Sequence, residues 1–196
     1  GAINIVVNEN GKLWGENTDG KGLLTSFRME GISVEGKNIT ILGAGGAARA
    51  IGVEFALAGA RKITIVNIVK EQGEELTELI RRRTAAEAAF IFWDHAISIP
   101  VDTDILVNAT SIGLYPNVNE KPNINYDSIW PEMVVSDVIF NDPRTQFLRE
   151  AKKRNAQTIH GLGMLANQAA LNFKIWTGEE APVALMMETL KKEFGL

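Results

Sequence analysis

A Gly-x-Gly-x-x-Ala spacing is the feature of this sequence most able to support chemistry. Gly43, Gly45 and Ala48 follow an apolar run at 39–42 and lie at the start of an Ala-rich run at 47–58. In such a strand, turn and helix the first Gly permits a tight turn, the second admits a pyrophosphate, and a small third residue lets the helix pack on the strand. Free N–H groups and the positive end of the helix dipole then face the phosphates. The spacing predicts a dinucleotide site formed by Gly43, Ala44, Gly45, Gly46 and Ala47.

The residues on both sides of the turn favour this interpretation over a purely structural turn. Gly59 ends the predicted helix, and residues 62–67 read as a second apolar strand. Together they complete a strand, helix and strand unit of about 30 residues, as the dinucleotide motif requires. A structural turn is the alternative, since Gly and Ala are common in buried turns.

The composition excludes several classes of protein. The chain has 196 residues, of which 45% are hydrophobic and 22% are charged, and its net charge is -4. These values are typical of a globular protein and argue against one that tracks nucleic-acid phosphates. There is no Cys, which excludes disulfides and thiolate sites, and no apolar run approaches the ~20 residues that span a bilayer. We therefore expect a cytoplasmic protein without a metal site and without nucleic-acid or membrane partners.

Strands and helices alternate along the rest of the sequence. An Asn-Gly pair at 10–11 predicts a hairpin of residues 3–7 and 12–16. The alternation predicts an α/β fold with a doubly wound, mostly parallel, Rossmann-like sheet and helices on both faces. We expect strands at 39–42, 62–67, 89–93, 104–108, 133–140 and 158–159, a first helix that follows residues 17–20 and ends at about 28, further helices at 47–58, 71–83, 145–154, 164–176 and 182–194, and little regular structure at 114–130.

Polar segments follow several of the predicted strands directly. Ligands of such sheets bind beyond the carboxyl ends of the strands, so these segments are expected to share one rim with the glycine turn. The segments are 67–70, 108–113, 141 and 161–163. Within them we assign Asn67, Lys70, Asn108, Ala109 and Thr110 to the dinucleotide site.

Asp19 has two interpretations. Asn17, Thr18 and Asp19 offer three capping side chains ahead of the first predicted helix. The local chemistry alone favours Asp19 as a helix cap. A role in catalysis stays open at this point.

Segments spread over the whole chain resemble the shikimate dehydrogenase family, including its quinate/shikimate branch. They occur in the order and at the spacing of the family, and Gln168 and the Trp-Thr-Gly at 176–178 also match. The segments are Gly-Ala-Ile-Asn at 1–4, Asn-Thr-Asp-Gly at 17–20, Gly-Ala-Gly-Gly-Ala-Ala-Arg-Ala at 43–50, Asn-Ala-Thr-Ser-Ile-Gly at 108–113, Asp-Val-Ile-Phe-Asn at 137–141 and Gly-Leu-Gly-Met-Leu at 161–165.

The resemblance implies a two-domain enzyme that transfers a hydride between NADP or NAD and the C3 carbon of a cyclic hydroxy acid such as shikimate or quinate. The family's amino-terminal domain supplies a Lys and hydroxyl groups for substrate, and it has no counterpart in these residues. The chain looks like the cofactor domain of a longer protein, with a hairpin and interdomain junction at 1–20 and an NAD(P)-binding Rossmann-like domain at 21–196. The expected partners are a small-molecule substrate, the missing domain and a second copy in a homodimer.

The resemblance also assigns roles to individual residues. It implies that Asp19 is the catalytic partner of the absent Lys, which raises this role above that of a helix cap. Gln168, otherwise an ordinary helix residue, is implied to bind substrate together with Asn17. The residues implied to contact the cofactor are Val138, Gly161 and Met164.

Two residues depart from the family's pattern. Members that use NADP commonly have an Arg after the second strand that binds the 2′-phosphate, where this chain has Ile68. Lys70 offers only a point charge, and no Asp or Glu is placed to bind a free ribose 2′-hydroxyl, so the choice between NADP and NAD is open. His160 stands where the family often has Asp, and we expect a partly exposed residue at the end of a strand.

Two other functions stay open. The domain could serve another Rossmann reductase with a different substrate domain, although residues 17–20 and Gln168 argue against this. A nucleotide-sensing module that has kept the fold and lost the chemistry is the non-enzyme alternative.

Overall fold

The chain begins with a β-hairpin. The structure, a computed structural model, describes all 196 residues. β1 (Ile5–Glu9) and β2 (Lys12–Glu16) pair antiparallel around Asn10 and Gly11, whose φ angles of 53° and 84° are those of a type I′ turn. The hairpin predicted from the Asn-Gly pair is confirmed, and it forms a sheet of its own.

Helices and strands then alternate, with bounds close to the predicted ones. None of the helices is both long enough and apolar enough to cross a membrane. In chain order the elements are α1 (Asp19–Met29), β3 (Asn38–Leu42), α2 (Gly46–Leu57), β4 (Lys62–Asn67), α3 (Lys70–Arg83), β5 (Glu87–Phe92), β6 (Ile97–Ser98), β7 (Ile105–Asn108), β8 (Ile124–Asn125), β9 (Val134–Asp137), α4 (Gln146–Lys153), β10 (Gln157–Ile159), α5 (Leu162–Thr177) and α6 (Val183–Glu193).

Six of the strands form one parallel sheet. Its order is β10-β9-β7-β3-β4-β5, so the chain runs outward from β3 to one edge and then from β7 to the other. This confirms the doubly wound, Rossmann-like sheet that the alternation of elements predicts. The order reverses between β3 and β7, and at such a reversal a crevice opens beyond the carboxyl ends of the strands. The glycine turn follows β3 directly and therefore lies at this crevice.

The strands send alternate side chains into two separate cores. Ile39 and Ile41 of β3 pack into the core of the first face, where Phe27 of α1 and Phe55 of α2 have ring centroids 5.3 Å apart. Leu42 of the same strand packs into the core of the opposite face. Burial on both faces explains why this strand reads as a continuous apolar run and not as an alternating pattern.

The second face is covered by one short helix and an irregular segment. Phe147 and the rest of the apolar side of α4 cover part of it. The remainder lies under the segment between β5 and β9, in which β6 and β8 pair in a short parallel sheet. The prediction of little regular structure at 114–130 missed β8 and a short 3-10 helix at 126–128. Two-residue strands carry no periodic pattern, so sequence periodicity cannot reveal them.

β9 is shorter than predicted. The apolar run suggested a strand to residue 140, but the strand ends at Asp137. The amide of Ile139 donates to Oδ1 of Asp137 at 3.1 Å and so turns the chain away from the sheet. The segment that follows is therefore free to line the crevice.

α1 follows the hairpin and packs into the core of the first face. Its apolar side, with Leu23 and Phe27, belongs to the core of the first face, and the helix packs beside α2 and α5. Residue 20, the predicted end of the junction, is the second residue of α1. The first turn of α1 thus holds Asp19 in a defined position between the hairpin and the helices around the crevice.

Candidate active site

The turn between β3 and α2 leaves open space next to its backbone. Gly43 has a φ of +108°, and a Cβ on it would lie 2.8 Å from the carbonyl oxygen of Ala109, so this position requires Gly. Gly45 is exposed, and a Cβ on it would meet no protein atom within 4 Å. The first Gly therefore closes the turn, and the second keeps the space in front of it free.

Consecutive backbone N–H groups in this turn have no protein acceptor. They belong to residues 44–48, and the first backbone bond of α2 is donated by Arg49 to the carbonyl oxygen of Gly45 at 2.9 Å. The first turn of α2 also contains no acidic side chain. Unpaired N–H groups and the positive end of a helix dipole favour an anion. The turn therefore has the geometry that a pyrophosphate needs.

A cavity of about 290 Å³ beside the turn brings together many of the predicted site residues. It lies between α1, α5, the start of α2 and the segment after β9. The predicted members are Asp19, Ala47, Val138, Gly161, Met164 and Gln168, and the others are Asn4, Phe140 and Leu165. Asn4 and Phe140 were not predicted as site residues, because an Asn beside a strand and a Phe in an apolar run carry no functional signal of their own.

Asn4 links the polar side chains of this cavity. Its Nδ2 donates to Oδ1 of Asp19 at 2.8 Å and to the Thr18 hydroxyl at 3.0 Å, and it lies 3.5 Å from Oε1 of Gln168. Asn172 donates to the same Gln168 oxygen at 3.0 Å and accepts from the Thr18 hydroxyl at 2.7 Å. One hydrogen-bond network therefore joins the start of the hairpin, α1 and α5 at the cavity.

Asp19 does not cap α1, so the interpretation favoured by the local sequence alone is wrong. Thr18 is the N-cap residue and its side chain makes no capping bond, and Asp19 is the first residue of α1. The N–H of Asp19 is bonded by Oδ1 of Asn17 at 3.0 Å. The carboxylate of Asp19 is left to line the cavity, where the helix dipole stabilises its charge. The catalytic role implied by the family stays a prediction.

Asn17 lies outside this cavity. It lines a second cavity of about 410 Å³, between the hairpin and α2, together with Arg49 and Glu54. Burial raises the pKa of Glu54, and the charge of Lys21 opposes this effect. The structure therefore does not bring Asn17 together with Gln168, the other residue implied to bind substrate.

The loop after β4 carries little positive charge. Ile68 is 67% exposed, and Nζ of Lys70 lies 3.8 Å from a carboxylate oxygen of Glu74, which partly balances its charge. Asn67 is buried, and its Nδ2 donates to the carbonyl oxygen of Val69 at 2.8 Å. Asn67 thus shapes the loop through its side chain, and Lys70 is the one cation that the loop offers to a ligand.

A buried hydrogen-bond network stabilises the loop after β7. Nδ2 of Asn108 donates to Oδ1 of Asp137 at 3.0 Å, and Oδ1 of Asn108 accepts from the N–H and the hydroxyl of Thr110 at 3.2 and 2.7 Å. The side chain of Asn108 is fully buried, so its contribution is to shape the loop, whereas Thr110 is partly exposed. Asp137 was not predicted as a site residue, although its segment is part of the family resemblance.

The two histidines and the acidic residues form no metal site. His160 is half-buried directly before Gly161, as expected of a residue at the end of a strand. Burial lowers the pKa of His160, and its Nδ1 has no hydrogen-bond partner. No group of three or more His, Asp or Glu side chains is arranged to hold a metal ion.

Comparisons with known proteins agree on one family. Residues 161–191 match the model of the Shikimate 5'-dehydrogenase C-terminal domain. The chain is 42% identical, over 196 residues, to shikimate dehydrogenase (NADP(+)) of Desulforamulus reducens, and the match covers 98% of this chain and 67% of that protein. The chain spans about two thirds of the length of the curated relatives it matches.

Solved structures show the same fold with two different named substrates. A ligand-free 5-ketofructose reductase of Gluconobacter sp. strain CHM43 has a TM-score of 0.90 and 48% identity, covering 98% of this chain and 69% of that one. Shikimate 5-dehydrogenase from Listeria monocytogenes, in complex with shikimate and NAD, has a TM-score of 0.87 and 36% identity, covering 96% and 68%. Fold and sequence thus place these proteins together, while their names differ in substrate.

Proposed function

Since this chain belongs to the shikimate dehydrogenase family, we propose that it is the dinucleotide-binding part of an oxidoreductase that interconverts shikimate, or quinate, and the corresponding ketone. One observation carries the proposal. Asp19 and Gln168 line the same cavity as Ala47, Gly161 and Met164, directly beside the open glycine turn. A substrate alcohol in this cavity would therefore lie next to a nicotinamide whose phosphates occupy the turn.

The polar side chains of the cavity could assist the proton transfer that accompanies hydride transfer. Oxidation of a secondary alcohol removes a proton from its oxygen and a hydride from its carbon, and a bound nicotinamide accepts the hydride. None of the residues lining the cavity is a Lys. In the family a Lys of the amino-terminal domain takes part in the proton transfer. Asp19, held by Asn4, would stabilise that Lys, and the Gln168 amide would orient the substrate.

The phosphate side of the site suits either NADP or NAD. A relative is named for NADP(+), and a structural neighbour was solved with NAD. In this chain Ile68 stands at the position of the family's Arg, and Lys70 is the one nearby cation on the loop. A point charge discriminates less than a bidentate guanidinium does. We propose that the chain prefers NADP only modestly.

Reduction of a polyhydroxylated ketone such as 5-ketofructose is a second candidate. The observation that favours it is the 48% identity to a 5-ketofructose reductase, against 42% to a shikimate dehydrogenase. The same cavity would serve both reactions, because each interconverts a secondary alcohol and a ketone beside hydroxyl groups. The two candidates differ in substrate and not in the chemistry of the chain's own residues.

Dinucleotide binding and turnover should be measured separately. We expect the 196-residue chain to bind NADP⁺ or NAD⁺ in a calorimetric titration, and a longer product of the same gene that carries the family's amino-terminal domain to show turnover. Shikimate and quinate would be supplied for oxidation, and 3-dehydroshikimate and 5-ketofructose for reduction. No dinucleotide binding would refute the proposal. A higher kcat/KM for 5-ketofructose would support the second candidate, and binding without turnover in any form would support a sensing module.

A further inference from the structure

Asp137 is the one acidic side chain that is completely buried, and it stands at the carboxyl end of β9. Three donors from three different segments converge on it. Asn108 at the end of β7 donates to Oδ1 at 3.0 Å, the N–H of Ile139 donates to Oδ1 at 3.1 Å, and the hydroxyl of Thr145, the N-cap of α4, donates to Oδ2 at 2.7 Å. A carboxylate can accept all three bonds, because it is an acceptor at both oxygens.

This carboxylate determines which way the Asn108 amide points. The NH₂ group of Asn108 must face the acceptor Asp137, so its oxygen faces the N–H and hydroxyl of Thr110. The same NH₂ group also lies 3.4 Å from the carbonyl oxygen of Ile112. The conformation of the loop after β7, on the predicted rim of the dinucleotide site, is thus supported by a buried side chain that no ligand can touch.

The same carboxylate shapes the segment after β9. The bond from Ile139 turns the chain so that Val138 lines the cavity with Asp19 and Gln168. The turned segment also packs against the start of α5, where a Cβ on Gly161 would lie 2.4 Å from the carbonyl oxygen of Ile139. The buried carboxyl group of Asp137 therefore stabilises both the loop after β7 and the segment after β9, which line the candidate site.

The charge on Asp137 has no cationic partner. None of the ion pairs of the chain includes it. The titratable group whose charge acts on it is Asp142 just beyond β9, which opposes ionisation. Tyr126, on the covering segment of the second face, is the other titratable neighbour, and its pKa is raised by burial and by the charges of Glu150 and Asp137. Burial raises the pKa of Asp137 to about 7, while its three hydrogen bonds oppose this effect. The carboxyl group therefore changes its protonation near neutral pH.

We propose that Asp137 is a positioning residue for dinucleotide binding, and that affinity rises as this carboxyl group ionises and strengthens its bonds to the two loops. The inference rests on the proposed function, because it assumes that the dinucleotide contacts these loops. Bonds to an ionised acceptor are roughly twice as strong as neutral ones. Protonation weakens the hold on Asn108 and Ile139, and the binding-competent arrangement then becomes less populated.

The test compares Asp137→Asn with the parent chain. An Asn keeps an oxygen for Asn108 and Ile139 and loses the charge, so the variant should fold. NAD⁺ is the probe, because it has no group that titrates between pH 6 and 8, whereas the 2′-phosphate of NADP⁺ does. Titrations with NAD⁺ at pH 6, 7 and 8 should show the parent affinity rising with pH, by at most about tenfold if only the ionised form binds. In Asp137→Asn the affinity for NAD⁺ should be lower at pH 8 and should not change with pH.

Asp142→Asn is the matched control, since it removes a nearby carboxylate and keeps the oxygen that accepts from the N–H of Arg144 at 2.8 Å. It should retain the pH dependence and shift its midpoint slightly to lower pH, because Asp142 opposes ionisation of Asp137. Equal pH dependence in the parent and in Asp137→Asn would overturn the inference.

A second readout does not depend on a ligand. In amide NMR spectra of the free chain, the N–H signals of Ile139 and Thr110 should move with a midpoint near pH 7, and should not do so in Asp137→Asn. Static signals in the parent would refute the positioning role even if dinucleotide binds. If the signals move and no dinucleotide binds at any pH, the proposed function fails, and the affinity part of this inference fails with it.

Discussion

Gly45→Val tests the glycine turn with little disturbance of the fold. The position is exposed, its φ is −74° and its ψ is −167°, and a Cβ there would meet no protein atom within 4 Å. Val adopts this extended conformation readily, so the new side chain enters open space. That space is where we expect the pyrophosphate, next to the unpaired N–H groups of residues 44–48.

The expected loss of affinity is much larger than the expected loss of stability. Hydrogen bonds to a charged acceptor contribute ~1.5–3 kcal/mol each, so blocking two of them costs at least ~3 kcal/mol, which is more than a hundredfold in Kd. Gly45 is the N-cap of α2, where Val is less favourable than Gly. That change costs about 1 kcal/mol or less, and for a chain of this size it lowers Tm by only about 2–4 °C.

Calorimetric titration with NADP⁺ and NAD⁺, together with thermal unfolding, separates the two effects. Leu57→Val at the other end of α2 is the control for a change of side chain in the same helix, and it should leave Kd unchanged. Gly43→Ala should unfold at a clearly lower temperature, because Ala is strained at a φ of +108° and its Cβ would approach the Ala109 oxygen. Equal Kd values for Gly45→Val and the parent would refute the assignment of this turn to the dinucleotide.

Three further substitutions test the rest of the site. We expect the parent to prefer NADP over NAD by less than about tenfold. Ile68→Arg supplies the guanidinium that the loop after β4 lacks, so it should increase this preference. A parent that already prefers NADP a thousandfold would contradict this. Asp19→Asn, made in a form that also carries the family's amino-terminal domain, should reduce turnover by ~10² or more, and unchanged turnover would mean that Asp19 has no catalytic role. Asp137→Asn should also change how stability depends on pH. The pKa of Asp137 is raised in the folded chain to about 7, so its contribution to stability is present below pH 4 and is lost as pH rises to 7. Chemical unfolding should therefore show the stability of Asp137→Asn relative to the parent increasing over this range, and a constant difference would contradict the burial argument.

Local patterns predicted most of the fold and the phosphate side of the site. Gly43 and Gly45 are recognisable because the turn needs a positive φ at one position and open space at the other, and both needs are fixed within a few residues of chain. The parallel sheet follows from the alternation of strands and helices. The hairpin at Asn10 and Gly11 is equally local.

Contacts between distant residues could not be predicted in this way. Asn4 and Gln168 are separated by 164 positions, and no local rule connects them. Asp19 was first interpreted as a cap because the spacing of 17–19 cannot show that Asn17 would occupy its N–H. The role of Asp137 depends on the pairing of β7 with β9, which brings Asn108 opposite Asp137. Only the family resemblance placed Asp19 and Gln168 in one site before the structure did.

The NH₂ group of Asn4 faces more acceptor oxygens than it has hydrogens. This group has two hydrogens, and three oxygens lie around it, on Thr18, Asp19 and Gln168, the last at 3.5 Å. The second oxygen of the Asp19 carboxylate adds a further acceptor with no donor in the chain. We therefore expect the cavity to select molecules that bring several hydroxyl hydrogens of their own. A compound of the same shape with ethers or carbonyls in place of those hydroxyls would put its oxygens against the acceptor oxygens of the cavity with no hydrogen between them. Such a compound should be rejected, whether the substrate is a shikimate-type ring or a ketofructose.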